Sequence, residues 1–364
     1  MNKLRVLELF GGIGACSKAL EKLGIDYEIV DYVEIDKYAV KSFNAIHNTN
    51  FEPQDITTWN KNIKVDLIMH GSPCQDFSLA GKQEGGDEGS GTRSSLMYET
   101  IRIVEKLKPK YVIWENVKNL LSKKHRHNFD SYLEIMESLG YANYYRVLNA
   151  KDYGIPQNRE RVFTVSILGN ENYKFPKENI QECEVINPLQ GISGKSWQFE
   201  QNVYSKNSIL RSLKAGGGSG NIPKVIENFE FPPKQELKLK LKDMLEESVD
   251  EKYYLKDSQI EYLEYGKYNA SKVSNKIKQT DTGICPTLDT MQGGNRQPFI
   301  KEKKLKIRKL TPNECWRLMG FDDEDFEKAS RVNSNSQLYK QAGNSIVVNV
   351  LMAIFNELLK KKGE

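Results

Sequence analysis

The chain has 364 residues, 38% hydrophobic and 28% charged, enough for one large domain with a sizeable core and a smaller one beside it. Its 53 basic and 49 acidic residues leave a net charge of only +4, so bulk charge does not announce a nucleic-acid binder, although a local basic face is compatible with it. The five cysteines (16, 74, 183, 285, 315) are odd in number, widely spread and without CxxC or Cys/His spacing, which points to a reducing compartment and away from structural zinc.

Met1 to Phe10 places Lys3, Arg5 and Glu8 among its apolar residues, so it reads as neither signal peptide nor membrane span. Leu4 to Phe10 is instead a first strand. Gly11-Gly12-Ile13-Gly14-Ala15 is a glycine turn, Cys16 to Leu23 a helix stopped by Gly24, and Tyr27 to Val33 a second strand ending in Glu34-Ile35-Asp36. Strand, glycine turn, helix, strand and acid form the opening of a nucleotide-binding βαβ unit. Glycines let the backbone approach a ligand closely, and an acid after the second strand can accept from ribose hydroxyls. Gly12-x-Gly14-x-x-Ser17 has serine where a dinucleotide site prefers glycine, so the pattern does not separate NAD from another adenosine-bearing cofactor. A turn that serves only strand–helix packing is the plainer reading.

Asp55-Ile56-Thr57 lies where a third βα edge could touch an adenine; a lone Asp there is more often a cap or turn residue. Val65 to His70 is a short buried strand, stopped by Gly71 and Pro73 of Gly71-Ser72-Pro73-Cys74-Gln75. Cys74 thus sits on a stiff turn at a strand's carboxyl end, the edge where open α/β sheets bind ligands. A cysteine that only packs is the alternative. Asp76 to Ser95 is polar and holds five glycines (81, 85, 86, 89, 91), as a lid that closes over substrate would.

Leu96 to Leu107 reads as an amphipathic helix ended by Pro109. Tyr111 to Trp114, apolar on both faces, is a central strand running straight into Glu115-Asn116-Val117. A carboxylate there is expensive to bury unless something pairs with it or uses it. Phe129 to Leu139 is a helix and Ala142 to Leu148 a strand. In Gln157-Asn158-Arg159-Glu160-Arg161, entry into a strand would put Arg159 and Arg161 on one face, suited to an anionic or carbonyl-rich ligand. From about Cys183 the alternation gives way to glycine-rich, locally basic sequence, read as a smaller domain of loops and short strands. Order returns at Thr311-Pro312-Asn313-Glu314, a capping box with proline at the first helical position, in a helix through Met319. Gly343-Asn344-Ser345 opens a last apolar helix, Ile346 to Leu359.

Six motifs in this order resemble the cytosine-C5 DNA methyltransferase family: Phe10-Gly11-Gly12-Ile13-Gly14, Gly71-Ser72-Pro73-Cys74-Gln75, Glu115-Asn116-Val117, Gln157-x-Arg159-x-Arg161, Arg308-Lys309-Leu310-Thr311-Pro312 and Gly343-Asn344-Ser345. The match covers nearly the whole chain and thins over about 185–305, where the family carries its target recognition domain. The resemblance implies an α/β, Rossmann-like S-adenosylmethionine-dependent methyltransferase domain with a mixed, mostly parallel sheet (1–184 and 335–364). It also implies a smaller irregular target recognition domain (185–334) that includes the 308–320 helix segment.

The resemblance also assigns roles. Cys74 would be the nucleophile that adds to cytosine C6, so that C5 can take the methyl of S-adenosylmethionine. Glu115 would hold or protonate N3, which needs a raised pKa. Arg161 would contact O2, with Arg159 holding the loop and base. Phe10, Gly12, Gly14, Glu34, Ile35, Asp55, Ile56, Pro73, Leu96, Asn344 and Ser345 would surround S-adenosylmethionine, with Glu34 on the ribose and Asp55 on the adenine amino group; no metal is implied. Two residues depart from the pattern: Ile35 stands where relatives often stack an aromatic on adenine, and Ser72 where some have phenylalanine. The implied partner is double-stranded DNA, from which the target base is flipped. The implied setting is a monomer in the bacterial cytoplasm, with a separately acting restriction endonuclease left open. Methylation of tRNA by the same residues is the nearest rival, and an NAD-dependent oxidoreductase a remote one.

Overall fold

A computed structural model of the chain describes residues 3–73, 96–177, 241–251 and 306–359, with short strand segments at 185–186, 203–205, 224–226, 277–279 and 299–302. Cys74, the glycine-rich stretch expected to act as a lid and most of 185–305 lie outside the described residues.

Six strands form the main sheet: β1 (Leu4–Leu9), β2 (Tyr27–Val33), β3 (Leu67–His70), β4 (Tyr111–Val117), β5 (Tyr141–Asn149) and β6 (Glu160–Leu168). Their order is β2-β1-β3-β4-β6-β5. The first four run parallel, and β6 is antiparallel to both neighbours, so the sheet is mixed and mostly parallel, as expected. Strand order reverses beside β1: β2 lies on one side and β3 on the other. The crevice at the carboxyl ends of β1 and β3 is therefore a topological switch point, the place where such sheets take ligands.

Side chains alternate between two cores, as the period of a strand requires. Val6, Leu67, Met69 and Ile113 face one core. Leu7, Leu9, Ile68, Val112 and Trp114 face the other. The first core receives α1 (Ala15–Lys22) and a carboxyl-terminal group, α5 (Pro312–Arg317), α6 (Asp323–Ser330), α7 (Asn335–Asn344) and α8 (Val348–Leu358). The second receives α3 (Met97–Leu107) and α4 (Arg126–Ser138). Helix α2 (Lys37–His47) packs beside α6 at the β2 edge. No helix among the described residues is long and apolar enough to cross a membrane.

The carboxyl-terminal segment differs in detail from the sequence reading. Leu310, Cys315, Trp316, Leu318 and Met319, in the 308–320 segment expected within the smaller domain at 185–334, are buried in one core with Val6, Ile13 and Phe163. Apolar spacing along a helix reveals a buried stripe but not which core it enters. Gly343 and Asn344 close α7 rather than open the last helix; the chain turns through 345–347 before α8 begins. The polar helix α6 and α7 itself were not read from sequence, because their apolar residues are few: Phe326 and Ala329 in α6, and Leu338, Tyr339 and Ala342 in α7. The capping box at α5 is present: Glu314 N donates to Thr311 Oγ1 (3.2 Å) and Thr311 N to Glu314 Oε2 (2.7 Å).

Candidate active site

The site grows from the turn after β1. Phe10, Gly12 and Gly14 have φ of 53, 55 and 82°. That region is open to glycine but an outlier for a bulky side chain, so Phe10 is held there by its surroundings. The Gly12 peptide is fixed at both ends: its N–H donates to Glu34 Oε2 (3.1 Å) and its carbonyl accepts from the Tyr32 hydroxyl (2.6 Å). A Cβ on Gly12 would meet nothing, whereas one on Gly14 would run into the His47 and Phe43 rings. Gly12 thus borders open space while Gly14 permits close packing.

Beneath the turn, Glu8 is buried and accepts from Ser17 N (3.0 Å) and from the Ser17 hydroxyl. Burial pushes its carboxyl up to about 7, against those two hydrogen bonds.

The end of β2 supplies the next groups. Glu34 also accepts from Asp36 N (2.9 Å), and burial raises its carboxyl above the ordinary value. Its two oxygens can accept about four hydrogen bonds, so room remains beside the backbone donors of Gly12, Ile35 and Asp36. Ile35 follows with 69% of its surface exposed, an apolar side chain with nothing to cover it. Asp55 accepts from Thr57 N (2.9 Å) and Thr57 Oγ1 (2.8 Å) through Oδ1, so it serves as a turn residue. The Ile56 side chain is buried in the second core, which leaves only its backbone for a ligand. The Asp55 turn is anchored from below: Trp59 Nε1 donates to buried Asp31 Oδ2 (2.7 Å) and Gln54 Nε2 to Tyr32 O (2.7 Å).

At the end of β3, Ser72 Oγ accepts from Trp114 Nε1 (2.9 Å) and Ser72 O from Asn116 Nδ2 (3.4 Å). The β3 turn is thereby tied to β4 directly before Cys74. Buried His70 stacks on Trp114 and meets the Tyr132 hydroxyl at 3.2 Å; burial lowers its pKa to about 3, so it is neutral. Pro73 and Leu96 flank the stretch outside the described residues.

Glu115 lies one residue beyond Trp114, 3.1 Å from Arg161 Nε, with both side chains less than a fifth exposed. Burial raises the Glu115 carboxyl, and the charges of Arg161 and then Arg159 offset only part of it. Both arginines thus bear on Glu115, although only Arg161 lies in the strand. β6 begins at Glu160, so Arg159 precedes the strand, and its Nη2 donates to the carbonyls of Gly343 and Ser345 (2.9 Å each). Gln157, fully buried, donates to Leu318 O (2.9 Å) and binds the same loop to the end of α5.

One cleft is lined by Phe10, Gly12, Gly71, Glu115, Asn344 and Ser345. Five residues drawn from three separate motifs are thus brought together: Phe10, Gly12, Glu115, Asn344 and Ser345. Gly14, Glu34, Ile35, Asp55, Ile56, Pro73 and Leu96 do not line it, although Glu34 reaches its floor through Gly12. Sequence reasoning missed Glu8, Tyr32, Asp31 and Trp114. Glu8 and Asp31 carry a signal that could have found them: each is a carboxylate inside an apolar strand.

A switch-point cleft with a strained glycine turn on one side and a buried carboxyl–guanidinium pair on the other defines a Rossmann-like methyltransferase. The family model described as C-5 cytosine-specific DNA methylase matches residues 4–360. The chain is 34% identical to the type II methyltransferase M2.ScrFI of Lactococcus lactis subsp. cremoris, over 99% of this chain and 100% of the relative. It is 33% identical to the orphan methyltransferase M.SPBetaI of Bacillus phage SPbeta, over 99% and 98%. Among solved structures, Entamoeba histolytica EhMeth superposes with a TM-score of 0.69 at 16% identity, each chain covered in full (100%). Schizosaccharomyces pombe Dnmt2 gives 0.63 at 19% identity, over 98% and 99%. At those identities the two structures speak for the fold alone. The chain belongs to the C-5 cytosine-specific DNA methylase family.

Proposed function

We infer that the chain transfers a methyl group from S-adenosylmethionine to C5 of a cytosine flipped out of duplex DNA, through a covalent bond between Cys74 and C6. The observation that carries this reading is the single cleft joining Gly12 to Glu115, beside the turn that β3 holds immediately before Cys74. The residues fit the cofactor. The cleft is open above Gly12, the Glu34 carboxylate has acceptor capacity for ribose hydroxyls, and exposed Ile35 can cover one face of an adenine. Asp55 would accept from the adenine amino group, Ile56 would offer backbone only, and Pro73, Leu96, Asn344 and Ser345 would close the sides. Bound there, S-adenosylmethionine supplies an electrophilic methyl group.

The remaining chemistry belongs to the chain. The Cys74 thiolate adds to C6, and the ring's π electrons move to C5, which becomes nucleophilic. Glu115, kept neutral more readily by burial, donates its proton toward N3 as ring charge develops. Arg161 steadies that carboxyl and would contact O2. Arg159 is a positioning residue: it joins the loop before β6 to the Gly343–Ser345 turn. After methyl transfer C5 gives its proton to water, the C5–C6 double bond re-forms with expulsion of the Cys74 thiolate, and the N3 proton returns to Glu115.

The substrate would be duplex DNA and the enzyme a cytoplasmic monomer. Orphan and type II enzymes both stand among the relatives, so similarity favours neither a solitary enzyme nor a restriction pair. The test uses the full chain, labelled S-adenosylmethionine and a pool of duplexes carrying 5-fluorocytosine. Fluorine blocks the last elimination, so a denaturation-resistant adduct should form and map to Cys74. No adduct with the cofactor present would sink the covalent route. Methyl transfer to tRNA but not to duplex DNA would assign the chain to the RNA reading.

A further inference from the structure

The segment 118–127, Lys-Asn-Leu-Leu-Ser-Lys-Lys-His-Arg-His, holds four Lys or Arg and no acid, a net charge equal to that of the whole chain, +4. It leaves β4 immediately after Val117, at the sheet edge that carries Glu115. Its shape is fixed. Leu120 and His125 are buried at 0% and 1% exposure. Ser122 N donates to Asn119 O, His125 N to Ser122 O and Arg126 N to Ser122 O at 2.8–3.0 Å.

Two of the four cations are already committed: Lys118 to Glu160 at 2.9 Å and Arg126 to Asp130 at 2.7 Å. Lys123 and Lys124 are exposed and have no ion pair among the described residues. Elsewhere the surface interleaves its signs, as in Lys328–Glu324 and Arg331–Glu327. Adjacent like charges on a rigid turn repel each other, and no carboxylate among the described residues pairs with Lys123 or Lys124. A polyanion laid along this edge would.

We propose that Lys123 and Lys124 grip two backbone phosphates of the duplex beside the cytosine presented to Glu115. The proposal rests on the reading that the substrate is duplex DNA. Phosphate contacts of this kind fix register and carry no sequence information, so any duplex probes them.

The experiment measures binding of the full chain to a short mixed-sequence DNA duplex over a range of salt concentrations. Each phosphate contact contributes about 0.9 to the slope of log affinity against log salt, so Lys123→Gln with Lys124→Gln should make it shallower by about two. Both side chains are exposed, so thermal unfolding should not move. The control pair, Lys106→Gln with Lys108→Gln, lies at the opposite edge, where α3 ends before β4, and should keep the wild-type slope. An unchanged slope in the first pair, or equal flattening in the control, overturns the proposal. So does flattening on a structured RNA with none on the duplex, which would assign the surface to RNA. Methyl transfer is measured on the same preparations. Wild-type protein that methylates DNA while the variant keeps its slope removes the phosphate grip alone. Protein that methylates no DNA but shows the flattened slope removes the methyl-transfer reading alone.

Discussion

Glu115 shows how a single residue is prepared for its work. Its carboxyl is buried where charge is disfavoured, and the flanking guanidinium groups are too few to reverse that. Glu115→Gln keeps the shape and loses the proton. Methyl transfer should fall by roughly 100-fold or more, the usual worth of a positioned acid, while cofactor affinity measured by calorimetry stays within a few fold. An equal loss in both would place Glu115 in binding instead. Other buried groups contribute to the response to pH. Glu8 sits at about 7 against an ordinary 4.5, so the folded state holds its proton longer than the unfolded state. The stability this gives is complete below 4.5 and is lost as pH rises to 7, about 3 kcal/mol in all. His70 works in the opposite sense: its contribution is complete above 6.5 and is lost as pH falls toward 3. Burial lowers His47 too, to about 4, so over pH 4.5–6.5 Glu8 offsets only part of the rise of stability with pH that the two histidines give. In Glu8→Gln that offset is gone, and stability measured by urea unfolding should rise more steeply with pH across that window than in the wild type. A variant with the wild-type profile would show that Glu8 does not titrate as described.

At the scale of elements, most of the sheet was legible. Parallel strands buried on both faces read as apolar runs, and β2 begins and ends where the sequence places it. The start of α5 was legible because its cap is chemical: one side chain and one backbone group at each end of a four-residue box. Thr311→Ala should cost about 1 kcal/mol in chemical unfolding, since one hydroxyl accepts one helix donor. What could not be read were features that depend on distant partners. The one-face placement of Arg159 and Arg161 assumed that the strand began one residue earlier. Carbonyls of Gly343 and Ser345, far along the chain, are what hold Arg159 in place. In the same way Gly14 shows only a small residue in sequence, whereas the fold shows why nothing larger fits. Gly14→Ala would press its methyl on His47 and Phe43 at a positive φ, so it should lower the melting temperature and weaken cofactor binding together.

The whole molecule is held by contacts between its first helix and its last fifty residues. Lys18 on α1 is nearly buried and reaches Asp325 and Glu21 at 3.0 Å and Asp322 at 3.2 Å. Burial works against its charge, but the three carboxylates prevail and raise its pKa. Lys18→Met strands the Asp325 carboxylate, 4% exposed, and should cost about 3 kcal/mol in unfolding free energy, with little dependence on salt. A strong salt dependence would mean that the pair is a surface one. Motif order made the site legible as a list of residues. The distances between them had to come from the fold, because the six motifs are spread over more than three hundred positions.

The packing of α8 on α1 bears on how the protein is born. A ribosome delivers β1 and α1 first, then all of the segment between the two parts of the main domain, and only afterwards the helices that cover α1. Until residues 310–359 emerge, Val6, Ile13 and Ala19 have no roof, and the surface that completes their core is still untranslated. The nascent amino-terminal half must therefore wait with apolar surface exposed, a natural client for ribosome-bound chaperones, and the catalytic cleft is finished among the last events of synthesis.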